Sequence, residues 1–100
     1  HQLARVLNNL RQLERAADED GAVAVAALAA ASAHSTVQAI KAAPGRARDA
    51  AAVIGPIITA GRALNVLVHT AHADEALPPT REIVAALAAV DEAVERVFAL

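Results

Sequence analysis

The sequence predicts an all-α fold, a four-helix up-down-up-down bundle, and three observations carry that expectation. Apolar side chains recur at three- and four-residue spacing through four separate stretches. Turn-forming residues separate those stretches at Gly21, Pro44-Gly45 and Pro78-Pro79. Alanine, the best helix former, dominates a composition that is 56% apolar. One hundred residues make a single domain, near the lower end of what buries a self-sufficient core. With Phe98 as its one aromatic, the core has few large anchors, and small side chains should let the helices approach closely.

The first helix is expected over about 2–18, with Leu3, Val6, Leu7, Leu10 and Leu13 in a narrow stripe. Arg5, Arg11, Gln12, Glu14 and Arg15 face water. Asp18-Glu19-Asp20-Gly21 ends it; Asp20 is a fitting N-cap for the next helix, which the short turn makes an antiparallel neighbour.

The second helix, about 22–43, stops at Pro44-Gly45. Val23, Ala26, Ala30, Ala33, Val37 and Ile40 form a heptad-like seam of mostly small residues that is expected to face the core. Val25, Leu28, Ala29, Ser32 and Ala39 lie on the opposite side. A helix apolar on two sides is either central in its domain or covered by a partner. The expectation is that this second strip is an interaction surface, for self-association or for the rest of a larger protein. The competing arrangement lays the helix across two neighbours within its own bundle.

The third helix, about 47–75, carries a dense run of large branched side chains, three of the chain's five isoleucines among them, and is expected to organise the others. Val53, Ile54, Ile57, Ile58, Leu64, Leu67 and Val68 share one face with Gly61 and Ala71. Gly55-Pro56 falls inside it, where a proline deletes one backbone hydrogen bond, so a kink is expected there. The fourth helix, about 79–99, follows the rigid Leu77-Pro78-Pro79 turn. Ile83, Leu87, Val90, Val94 and Val97 repeat in the pattern of a bundle, with Arg81, Glu82, Asp91, Glu92, Glu95 and Arg96 outside.

Few chemistries survive this composition. The formal charge is −2 and the basic residues are scattered without aromatics, so nucleic-acid binding lacks both its electrostatic footprint and its stacking platforms. No cysteine is present, which removes thiolate metal sites, disulfides and a Cys nucleophile. No Gly-rich phosphate loop or dinucleotide fingerprint marks a cofactor. Residues 22–40 carry no formal charge and approach membrane-span length, but alanine, hydroxyl and amide side chains make them weakly hydrophobic.

Histidines supply the remaining candidates. His69 and His72 sit three apart near the end of the third helix, followed by Asp74 and Glu75, a spacing that permits a shared metal. The macrodipole alone also favours cations there. A partly exposed His34 on a four-helix bundle resembles the phosphoryl-accepting histidine of phosphotransfer domains. The Lys and Gly that usually follow that histidine are replaced here by Ser35, Thr36, Val37 and Gln38. Ser32, Ser35 and Thr36 share a helix with His34 but do not form a nucleophile–base pair with it. Neither metal nor enzymatic activity is expected.

Residues 42–100 carry a wider pattern. Pro44 is followed by Arg46 and Arg48, then Ala50 to Ala52, Pro56, an aliphatic helix with Arg62 in its middle, Pro78-Pro79, and an acidic, alanine-rich last helix. This succession resembles the C-terminal region of actinobacterial fusaric-acid-resistance-like (FUSC) proteins. Ile54 and Gly55 stand where bulky aromatics often precede the proline in that family. The resemblance implies a domain excised from an inner-membrane exporter of aromatic acids or related small molecules. This segment would be its cytosolic, non-spanning part, acting in assembly or regulation through helix–helix contacts. The alternative is a stand-alone bundle for a ligand, metal or phosphate relay using His34 or His69 and His72.

Overall fold

A computed structural model of the protein describes residues 2–46 and 50–98. It contains α1 (Gln2–Glu19), α2 (Val23–Arg46), α3 (Ala50–Asp74) and α4 (Thr80–Phe98), and the molecule measures 42 × 21 × 20 Å. The fold is the expected all-α four-helix bundle. The side chains of Leu3, Val53 and Ile54, placed in the stripes above, lie outside the described residues, as does the connection at 47–49.

The α1–α2 turn differs from the expected N-cap at Asp20. Gly21 takes φ 76°, its N–H donates to the Asp18 carbonyl at 3.1 Å, and the Ala22 N–H donates to the Ala17 carbonyl at 2.8 Å. These two bonds with a left-handed glycine are a Schellman motif, so the turn closes α1 and Asp20 belongs to that closure. At the other end α2 passes Pro44 and Gly45 and reaches Arg46. A proline in a last turn removes only one intrahelical donor, which is why the expected stop is overrun.

Helix α3 is one continuous element through Pro56. It ends at Asp74, where Glu75 adopts a left-handed φ of 52°. Pro78 is buried and Leu77 packs against the core. The Pro79 carbonyl accepts the N–H groups of Glu82 and Ile83, which starts α4.

The core is built from one stripe per helix. Val6, Leu10, Leu13 and Ala17 come from α1; Ile57, Leu64 and Val68 from α3; and Ile83, Leu87, Val90, Val94 and Val97 from α4. All but Ala17, which continues the α1 stripe by one turn, fall where the spacing placed them. The stripe of α3 does not gather all the others, however. In the bundle's cross-section α1 touches α2 and α3, and α4 touches α2 and α3. The diagonal pair α2 and α3 meet only marginally, and the backbones of α1 and α4 do not approach each other among the described residues.

Chain direction alternates within this square. Val6 lies against Gly61 and, further along both helices, Asn9 Nδ2 donates to Asn65 Oδ1 at 3.1 Å, so α1 and α3 ascend together. Ser32 meets Asp91 and Gln38 shares a groove with Phe98, so α2 and α4 descend together. Two antiparallel hairpins, α1–α2 and α3–α4, therefore stack side by side in the same orientation.

Candidate functional site

Helix α2 is apolar on two sides, so its orientation decides which of its residues reach the surface. The strip of Val25, Ala29, Ser32 and Ala39, expected to face outward, is buried in the bundle. Of the five residues assigned to the interaction surface only Leu28 is exposed, at 47%. Conversely Val23, assigned to the core seam, is 73% exposed. The physical reason lies in the neighbours. Helix α2 is wedged between α1 and α4, and this pair covers a broad arc that holds Val25, Ala26, Ala29, Ser32, Ala33, Thr36 and Ala39.

Two hydroxyls in that arc are satisfied locally. Ser32 Oγ donates to Asp91 Oδ1 at 2.9 Å, across to α4, and Thr36 Oγ1 donates to the Ser32 carbonyl at 2.7 Å. Among the described residues no buried side-chain polar atom lacks a partner. The sequence reading placed Asp91 on a solvated face, whereas it is half-buried and bridges α2 to α4. Its position between Val90 and the outer Glu92 was the only signal for this role, and it does not specify a serine partner.

What remains exposed on α2 is a continuous, uncharged face. It runs through Val23, Ala24, Ala27, Leu28, Ala31, His34 and Gln38, and its first charged residue is the exposed Lys41. Residues 23–42 are long and apolar enough to cross a membrane by length and composition, with a mean hydropathy of 1.5. Only 39% of the 18-residue window that defines that span is buried. Its apolarity thus serves two sides: one faces the core, and the other is open.

His34 is exposed on this face, beside a shallow groove that also holds Ser35, Gln38, Asp91 and Glu95. It stands on the corner diagonal to α3, so it cannot meet His69 or His72. His72 lines an open cleft of about 670 Å³ with Arg15, Glu19, Asp20 and Glu75, and His69 lies outside it. Among the described residues no three His, Asp or Glu side chains come together as a metal-binding set.

Compared with protein-family models, with curated protein sequences and with solved structures, the chain finds no match.

Proposed function

We propose that this chain is a non-catalytic helical assembly domain that works by packing the outer face of α2 against another helix. The observation that carries the reading is the double apolarity of α2. Its inner face contributes Val25, Ala26, Ala29, Ala33 and Ala39 to the core, while Val23 and Leu28 remain exposed among small side chains outside. Small residues permit close helix approach, and the exposed strip from Val23 to Ala31 is apolar and continues through His34 and Gln38 without a formal charge. The setting we propose follows from the FUSC resemblance of residues 42–100. There the domain is the cytosolic part of a membrane exporter and contributes to assembly or regulation, with no translocation residue of its own.

The test uses the full-length gene product. Flanking hydrophobic spans of about twenty residues support the membrane setting, and a product without them overturns it. Leu28→Lys should leave folding unchanged, since a lysine stem at a half-exposed position reaches water, while abolishing assembly read by native electrophoresis and cross-linking. Assembly that survives Leu28→Lys and Ala27→Glu overturns the role of this face.

A further inference from the structure

The contact between α1 and α3 has an outer side, and helical geometry gathers positive charge there. Val6 of α1 lies against Gly61 of α3, and the two helices run parallel. Successive residues turn by about 100° around a helix axis, in the same sense on both helices. The residue before Val6 and the residue after Gly61 therefore fall on one side of the contact line. These are Arg5 and Arg62, both exposed. Asn9 and Asn65, about one turn further along, fall on the same side and are hydrogen-bonded to each other. Leu10 and Leu64 fall on the other side, in the core.

Arg5 and Arg62 flank an open groove of about 360 Å³. Val6 and Gly61 form its buried apolar floor, with Ile58 half-buried and Val66 exposed beside them. Its two charged residues are both cations, and no carboxylate lines it. The other clefts differ: Arg15 and His72 share theirs with Glu19, Asp20 and Glu75, and His34 shares its groove with Asp91 and Glu95. Among the described residues no carboxylate pairs with either the Arg5 or the Arg62 guanidinium. Because Asn9 Nδ2 donates to Asn65 Oδ1, the Asn65 Nδ2 hydrogens are left for a further acceptor.

Independently of the outer face of α2, we propose that this groove binds a small organic phosphate monoester through its dianionic phosphoryl group. Two like charges on one groove repel, and an anion between them removes that cost. Guanidinium forks fit the oxygens of carboxylate and phosphate alike. A single carboxylate neutralises one arginine, whereas a phosphate monoester carries about −2 at neutral pH and has three terminal oxygens. Two oxygens meet the guanidinium groups and the third accepts from Asn65 Nδ2. The carbon body of the ester lies on the apolar floor of Val6, Ile58 and Gly61. A soluble ester and a lipid with a phosphomonoester headgroup share this chemistry.

The probe is phenyl phosphate, titrated into the purified chain and followed by amide and side-chain NMR shifts. Saturable shifts are expected at Gly61, Arg62 and the Asn9 and Asn65 carboxamides. Arg5→Gln and Arg62→Gln should each weaken binding roughly tenfold, as loss of a charge-assisted hydrogen bond does, and the double variant should abolish it. Thermal melts of these surface variants should be unchanged. Dimethyl phosphate and benzoate, both monoanions, should bind more weakly than phenyl phosphate, and so should inorganic phosphate, which lacks the apolar body. Phosphatidylcholine vesicles with and without phosphatidate separate the two sources. Sedimentation with phosphatidate vesicles that is lost in the double variant assigns the phosphoryl group to a lipid. Soluble binding without such sedimentation assigns it to a free ester. No saturable shift with phenyl phosphate and no capture by phosphatidate overturns the proposal. So does binding that the double variant retains, or that Arg96→Gln on α4 weakens equally. Benzoate binding as tightly as phenyl phosphate overturns the choice of a dianion.

Discussion

Val6 of α1 occupies the space in which a side chain at Gly61 of α3 would begin. A Cβ built on Gly61 meets Val6 Cγ2 at 2.5 Å and both Val6 Cβ and Cγ1 at 3.4 Å. The two parallel helices are therefore in close contact at this point, and the glycine is what permits it. Valine in a helix holds one χ1 rotamer, so it cannot swing aside cheaply.

Gly61→Ala should accordingly destabilise the domain by about 1–3 kcal/mol, even though alanine gains about 1 kcal/mol in intrinsic helix propensity. Chemical denaturation measures it. In the double variant Val6→Ala/Gly61→Ala the loss should be smaller than the sum of the single losses, since Val6→Ala removes the methyl groups that obstruct Gly61→Ala. Additive losses would show that the contact is relieved some other way.

Leu64 is fully buried in α3, and Val66, two residues on, is 62% exposed. Leu64→Asp should unfold the chain, because an unpaired buried charge costs several kcal/mol against a total stability of roughly 5–15. Val66→Asp should shift stability by no more than about 0.5 kcal/mol. A cooperative melt retained in Leu64→Asp would contradict the assigned core.

The Ser32–Asp91 hydrogen bond ties α2 to α4 in a partly buried position. Ser32→Ala and Asp91→Ala should each cost about 1 kcal/mol, with a coupling energy of similar size in the double-mutant cycle. Zero coupling, measured by urea unfolding of the four species, would remove the bond from any account of stability.

Glu75 holds a left-handed backbone at φ 52°, a conformation that only glycine adopts without a steric cost. Glu75→Gly should stabilise the domain by about 0.5–1 kcal/mol, the relief of strain outweighing the added freedom of the unfolded chain. For a domain of this size that raises Tm by roughly 4 °C. A lower Tm would mean that the Glu75 side chain contributes more than its backbone costs.

These results separate what a single sequence can determine from what it cannot. Four helices, their approximate limits and the inward faces of α1, α3 and α4 were legible. Leu10, Leu64 and Val90 each sit on the only face of their helix that is rich in large apolar side chains, so any burial at all must bury that face. The closure at Gly21 was legible as the end of α1, but Asp20 was read as the cap of the next helix, because an acid beside a glycine serves either role until the hydrogen bonds are known. The histidines were legible only as candidates: spacing along one helix says nothing about what stands on the next.

Two things were decided by tertiary structure alone. One is which face of α2 turns inward. Its two sides, Val25-Ala26-Ala29-Ala33-Ala39 and Val23-Ala24-Ala27-Leu28-Ala31, are each mostly alanine with one or two larger apolar side chains, so no local preference selects between them. The choice falls to the combined surface that α1 and α4 present to it, which buries Val25, Ala29, Ser32 and Ala39 of the expected interaction strip together with Ala26 and Ala33 of the expected seam, as when the helix lies across two neighbours of its own bundle. The other is the ring order that sets α2 diagonal to α3. Stripes and short turns specify that helices pack and that hairpins form, but two hairpins with similar apolar edges can meet along either pair of edges. Close approaches such as Gly61 to Val6, and the bond from Ser32 to Asp91, exist only in the order adopted, and they depend on shapes matched across helices far apart in the chain.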